Sequence, residues 1–420
     1  MPSDTRLPAA VRAFRHRDFR LFFAGQLISL VGTWMQSVAQ SWLVLELTNS
    51  PFRLGLVSAL QFAPMLVLAF FAGALADRLR KRRLLLVSQS VLFIQALALA
   101  LLVHFGHVQY WHVALLALVY GIANTVDMPT RQAFIVEMVG RDDLMNAIAL
   151  NSAMFNAARI VGPALAGLAI ARWGTAVAFY LNAASFVPVI VALFAVGAQG
   201  RPRAASGRSM AHDIREGVRF AVSTPRVALT MAMVLAVSGF LFNYNVLIPL
   251  YVRDVLGHGA EGFGLMMAML GIGALGGAVA LAALGRERPP VAALATPALL
   301  QAAGTAALAA VHTERVVVPL LLLMGFCGIL FMAGSNSTVQ LTVPDELRGR
   351  VMSLHTLMFA GVTPFGAFLM GSVAEAAGVK AALLVSGGGG LISVLALLAW
   401  WHARDRGSPL ATRPEGGSAT

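Results

Sequence analysis

Gly73-Ala74-Leu75-Ala76-Asp77-Arg78-Leu79-Arg80-Lys81-Arg82-Arg83 is a hydrophilic stretch between two long apolar runs, Leu54 to Ala76 and Leu84 to Val103. About 20 apolar residues are enough to cross a bilayer as a helix. The stretch therefore reads as a short turn joining two spanning helices. Five of the six residues from Arg78 to Arg83 are cationic, which holds such a turn on the cytoplasmic side. Gly73 is small enough to let two helices approach closely. Asp77, one helical turn later, is the only acid among the cations.

The rest of the composition agrees. Of 420 residues, 58% are hydrophobic and 12% charged, against about 25% charged in a soluble domain. The net charge is +12, and a basic balance can indicate nucleic acid. Here the cations lie in loops between apolar runs, where orientation and anionic lipid account for them; no nucleic-acid partner is expected. Cys327 is the sole cysteine, so neither an internal disulfide nor a Cys-rich metal site can form. The two lysines, Lys81 and Lys380, are not followed by Ser or Thr, so no phosphate-cradling Gly-Lys-Ser/Thr loop exists. Uphill movement would draw on an ion gradient or a partner. No cofactor or metal is expected, and the chain is not expected to be an enzyme.

Twelve apolar runs follow one another, six on each side of a basic, Arg-, Ser- and Pro-rich segment. This divides the chain into a tail (1–18), a six-helix bundle (19–197), a linker (198–225) with a short amphipathic helix near Met210–Val222, a second six-helix bundle (226–402) and a polar tail (403–420). With the N-terminus inside, 25 of the 31 Lys and Arg fall on cytoplasmic segments and 5 on the other side, which places both ends in the cytoplasm. The halves also repeat. Gly73 and Gly277, Gly167 and Gly371, and Gly174 and Gly378 are each 204 residues apart.

The Gly-x-x-x-Asp-Arg-x-x-Lys-Arg pattern between helices 2 and 3 resembles the signature loop of the major facilitator superfamily. The usual family form has Gly three residues after the Asp; here that residue is Arg80, so the tight turn is made differently. The resemblance implies an all-α fold of two pseudo-symmetric six-helix bundles with substrate between them near the midplane. Helix 5 contains Gly162-Pro163 and Gly167, which resembles the signature of the family's exporters. Together with Met128-Pro129-Thr130-Arg131-Gln132-Ala133 and Glu46-Leu47-Thr48-Asn49-Ser50-Pro51, it is similar to the branch holding enterobactin exporters and macrolide-efflux proteins. Gly271-x-Gly273-x-x-Gly276 matches a dinucleotide fingerprint only in letters, because no strand precedes it; helix packing explains it.

Three groups of residues carry functional expectations. Arg159 lies mid-helix, where a charge costs about 2.5–3.5 kcal/mol on insertion scales. Asp127 on helix 4 is of similar depth, so the two are expected to form a charge pair, either permanent or exchanging a proton. Gln26, Ser29, Thr33, Gln36 and Gln40 are spaced 3, 4, 3, 4, which puts them on one face of helix 1. With Trp34, they are expected to wall a central cavity completed by Asn156 and by Phe240, Asn243 and Tyr244 of helix 7. Hydrogen bonding between helices would use the same polar stripe. Last, Asp77 is expected to dock at the N-terminus of helix 11 while Arg78, Lys81 or Arg82 meets an acid such as Glu137 or Asp142, latching the cytoplasmic side shut.

The expected function is a proton-driven exporter of lipophilic drug-like compounds or siderophores, acting as a monomer in a bacterial inner membrane. The alternatives are an importer or uniporter of a small metabolite, or a non-transporting sensor or assembly protein on the same fold.

Overall fold

The structure is a computed structural model that describes residues 9–200, 210–283 and 289–406. The side chain of Asp77, the expected basic linker residues Arg201, Arg203 and Arg208, residues 1–8 of the expected N-terminal tail and residues 407–420 of the C-terminal one lie outside the described residues. A short 3-10 turn (Ala9–Arg15) leads into α1 (Arg17–Thr48), α2 (Pro51–Arg78), α3 (Lys81–His104), α4 (Tyr110–Val139), α5 (Leu144–Trp173) and α6 (Thr175–Ala195). The linker contributes α7 (Met210–Ser223). Then come α8 (Pro225–Phe240), α9 (Tyr244–Asp254), α10 (Ala260–Ala283), α11 (Val291–Leu308), α12 (Glu314–Thr342) and α13 (Asp345–Arg406). No strand occurs among the described residues.

Eleven of these segments are long and apolar enough to span a membrane, one of them 60 residues long, Asp345–Arg404. As one rod it would measure about 90 Å, three times a hydrocarbon core of about 30 Å. Gly378 breaks it, with φ 83° and ψ 165°, a conformation open to glycine and not to L side chains. The two arms, 345–377 and 379–406, are separate passes, which makes twelve crossings. The seventh crossing, expected as one run, is interrupted: α8 ends at Phe240 and α9 starts at Tyr244.

Local signals set the helix ends. Asn49 ends α1 in the left-handed region, with φ 50°. Ser50 caps α2 by accepting from Arg53 N at 3.2 Å, with Pro51 at the first helical position, where a missing N–H costs nothing. Leu79 and Arg80 alone link α2 to α3, both extended. That is how the turn forms without the family's glycine.

In the first half, α1 packs on α5 and α6, α2 on α4, and α3 on α4 and α6. In the second, α10 and α11 pack on α12, and α13 packs on α8 and α11. The halves meet along two seams, α2 against α13 and α5 against α10. The linker helix α7 rests on α13, where Glu216 and Arg350 form an ion pair. The end of the molecule bearing Arg78–Arg83 is called the basic end below; the end bearing Asn49–Ser50 is the opposite end.

Candidate functional site

The two seams are built alike. At the α2–α13 seam a Cβ on Gly371 would lie 2.9 Å from Gly55 Cα. At the α5–α10 seam a Cβ on Gly264 would lie 2.8 Å from Gly167 Cα. Backbones this close need glycine on both sides. Gly167 and Gly371, paired by the 204-residue repeat, thus occupy equivalent contacts. Both contacts lie toward the opposite end. There Phe52 meets Phe368 edge to face, 5.4 Å between centroids. The Glu375 carboxylate accepts from Ser50 Oγ at 2.8 Å and from Phe52 N at 3.1 Å. It caps the start of α2 from across the seam, where free backbone N–H groups favour an anion.

The Gly-Pro motif divides its work. Gly162 faces α1, where a Cβ would lie 2.8 Å from Val31 O. The Pro163 carbonyl and Gly167 face α10.

Toward the basic end the seams part. Ile148 and Phe155 are 47% and 44% exposed. Ser152 is exposed and Arg159 half-buried on the same stripe, at positions i, i+4, i+7 and i+11 of α5. The lipid-exposed stripe of α5, including Val161, Leu165 and Leu168, is on the other side of the helix. The stripe through Phe155 and Arg159 therefore faces the space between the bundles. Trp34 of α1 joins it: its ring packs on Phe155 at 5.7 Å and lies under the Arg159 guanidinium at 5.9 Å. Tyr244 of α9, in the other bundle, is buried. It accepts a 2.6 Å hydrogen bond from Gln301 Nε2 and packs on Phe242.

Asp127 and Arg159 do not pair. The Asp127 carboxylate accepts from Ser88 Oγ and Gln89 Nε2, each at 2.8 Å, and lies 3.8 Å from Arg131 Nε. Depth matched, but direction did not: α4 turns Asp127 to α3, whereas Arg159 faces the opening. Arg159 has no ion pair with any described residue. The Trp34 ring supplies about 0.5–2 kcal/mol, less than the roughly 2.5–3.5 kcal/mol insertion cost. Water or an anion must make up the difference.

The polar stripe of α1 is also redirected. Gln26, Gln36 and Gln40 are buried at 2%, 3% and 5% exposure. Gln36 Nε2 donates to Gln95, Asn182 Nδ2 donates to Gln36, and Gln40 Nε2 donates to Gln61. Thr33 Oγ1 donates to Ser29 O of its own helix. Gln36 and Gln40 thus join helices within the first bundle, because buried amides find each other rather than face lipid. Of the expected cavity residues on α1, Trp34 is the one that packs on the α5 stripe. Asn156 donates to Ser152 O within α5. Asn243 is buried and bonded to Gly239 O and Phe240 O. Phe240 packs on Gly389 and Ser386 of the last crossing.

At the basic end, Lys81 Nζ lies 2.8 Å from Glu137 Oε1. Arg82 meets no acid among the described residues. It donates to Leu193 O and Phe194 O at 2.6 and 2.7 Å, the free carbonyls of the α6 terminus. Arg78 is exposed. Among the described residues, Gly73 has nothing within 4 Å of where its Cβ would be. Phe155, Gly55, Gly264 and Glu375 were not foreseen. The 148–152–155–159 spacing could have revealed Phe155; the seam residues required knowing which helices cross.

The transmembrane secretion effector family model matches residues 9–406. The chain belongs to that family, within the major facilitator superfamily, and is a multi-pass membrane transporter. It is 29% identical to the multidrug efflux pump Tap of Mycolicibacterium fortuitum, over 87% of this chain and 91% of that one. It is 26% identical to the staphyloferrin A transporter of Staphylococcus aureus, over 88% and 92%. It is 25% identical to the enterobactin exporter EntS of Shigella boydii, over 91% of each. Among solved structures, the nucleoside transporter NupG superposes with TM-score 0.74 at 13% identity, covering 91% of this chain and 99% of the other. A bacterial homologue of the lysosomal transporter Spinster gives 0.75 at 12% identity, covering 95% and 99%. These superpositions establish the shared fold.

Proposed function

We propose that this transporter exports lipophilic or amphipathic small molecules, driven by protons, from a bacterial cytoplasm across the inner membrane. The basic end faces the cytoplasm in this reading, supported by the 25-to-5 distribution of Lys and Arg. The carrying observation is the asymmetry between the two ends: glycine seams and Glu375 clasp the opposite end, while Trp34, Phe155 and Arg159 face the opening toward the basic end. Such a state loads cargo from the cytoplasm. Release outside requires the seams to part and the basic end to close. Gly73 with its open surroundings, Asp77, Arg78, and Lys81 beside Glu137 form the latch of that second state, with Arg82 anchoring the loop to α6. The pump and siderophore relatives support export; aromatic walls support an apolar cargo body.

Asp127 is the proposed proton site. It is a carboxylate buried at 2% exposure, in contact with Ser88, Gln89 and Arg131. Everted membrane vesicles containing the protein should accumulate the neutral lipophilic dye Nile red when a proton gradient is imposed and stop when an uncoupler is added. Asp127→Asn should remove the uncoupler-sensitive part. Accumulation indifferent to the gradient would refute proton-driven export, and unchanged coupling in Asp127→Asn would refute the role of that residue.

A further inference from the structure

We infer that Arg159 is the recognition point for an oxyanion on the cargo, so the preferred substrate is an aromatic or apolar body bearing a carboxylate or similar acid. This rests on the export reading and names the chemistry of its cargo. More than two turns from any helix end, the described spanning helices carry four ionisable groups of the Asp, Glu, His, Lys and Arg types: Asp127, Arg131, Arg159 and His355. Asp127 and Arg131 answer each other. His355 Nε2 is 3.1 Å from Ser335 Oγ. Arg159 is left with a ring face and no carboxylate.

Its placement favours a ligand over a structural partner. It sits at the deep end of the exposed stripe through Ile148, Ser152 and Phe155, so whatever enters from the basic end reaches it last. Its backbone is pinned, since a Cβ on Gly271 of α10 would lie 3.1 Å from Arg159 O. The side chain is thus anchored at its backbone beside the seam, with the guanidinium over the Trp34 ring. Trp34 and Phe155 form a steep aromatic corner, 71° between planes, able to hold a flat apolar body. A guanidinium presents several N–H groups that match a carboxylate, and one ring face leaves most of them available. Gly271, against the Arg159 backbone, belongs to the other bundle. An anion bound here would therefore sit where the two halves move apart.

The test uses the full-length protein in zwitterionic lipid nanodiscs with three probes of one shape: pyrenebutyrate, its methyl ester, and the corresponding pyrenyl amine. Equilibrium dialysis should give affinity in the order acid, ester, amine, with the acid preferred over the ester by about tenfold, the scale of one charge-assisted contact. Arg159→Gln should bind acid and ester equally while keeping the wild-type ester affinity. Arg159→Lys should retain part of the preference. Added phosphatidylglycerol should leave the preference intact; its loss would assign the site to a lipid headgroup and overturn a cargo role. Equal binding of acid and ester by the wild type would overturn the inference without touching export of neutral cargo. No binding of any probe would remove the cargo site and the inference with it. The wild-type series decides the matter even if Arg159→Gln does not fold.

Discussion

The two ends of the space between the bundles are built from the same kinds of residue and arranged in opposite ways. At the opposite end, glycines face glycines across both seams, and Glu375 caps a helix of the other half. At the basic end, Gly73 faces no described residue, and two of its cations are bound within their own bundle, Lys81 to Glu137 and Arg82 to the end of α6. A glycine with no neighbour is a poor choice for packing, since it weakens a helix by roughly 0.5–1 kcal/mol relative to Ala. It is a sensible choice if a neighbour arrives in another state. Read this way, the contrast separates residues used now from residues held for the alternate conformation.

The strongest way to break the contrast is to add bulk where it is tightest. Gly264→Leu puts a side chain against the Pro163 carbonyl and Gly167. Overpacking costs roughly 1–3 kcal/mol, enough to shift the balance between states by about 5- to 150-fold. Transport should fall to background, and cysteines placed at the opposite end should become reactive to impermeant maleimide. Adding the same bulk at Gly73 sharpens the contrast. Gly73→Leu should leave thermal stability within about 0.5 kcal/mol of wild type, as for an exposed surface change, yet abolish transport by preventing closure at the basic end. Strong destabilisation would show that Gly73 is needed in the present state. The smallest effect should come from Glu375→Gln. It keeps the shape but loses the charge at the α2 terminus, worth about 0.3–1 kcal/mol. Labelling at the opposite end should rise only a few-fold, with transport altered rather than lost.

These residues were not equally legible in the sequence. Hydropathy and the basic loop specify twelve crossings, because membrane solvation constrains every residue of a span. The 204-residue repeat marked Gly167 and Gly371 before their contacts were visible, since equivalent seams need equivalent glycines. Spacing also put Gln26, Ser29, Thr33, Gln36 and Gln40 on one face of α1, but it could not say whether that face met water or other amides. Gln95 and Asn182, on α3 and α6, decided the outcome. Asp127 and Arg159 show the same limit. Residue counting gives depth along a helix, whereas pairing also needs the rotation of each helix about its axis. Glu375 was invisible because its partners, Ser50 and Phe52, are more than 300 residues away in the chain.

The central claim is that the two ends alternate, one opening as the other closes. Electron–electron resonance distances test it directly on a Cys327→Ser background in nanodiscs, with one spin-label pair at Arg53 and Ala377 of the opposite end and one at Leu79 and Glu346 of the basic end. When cargo and a proton gradient are supplied, the first distance should lengthen as the second shortens, with matching populations. Distances that stay fixed at both ends, or lengthen together, would contradict the account.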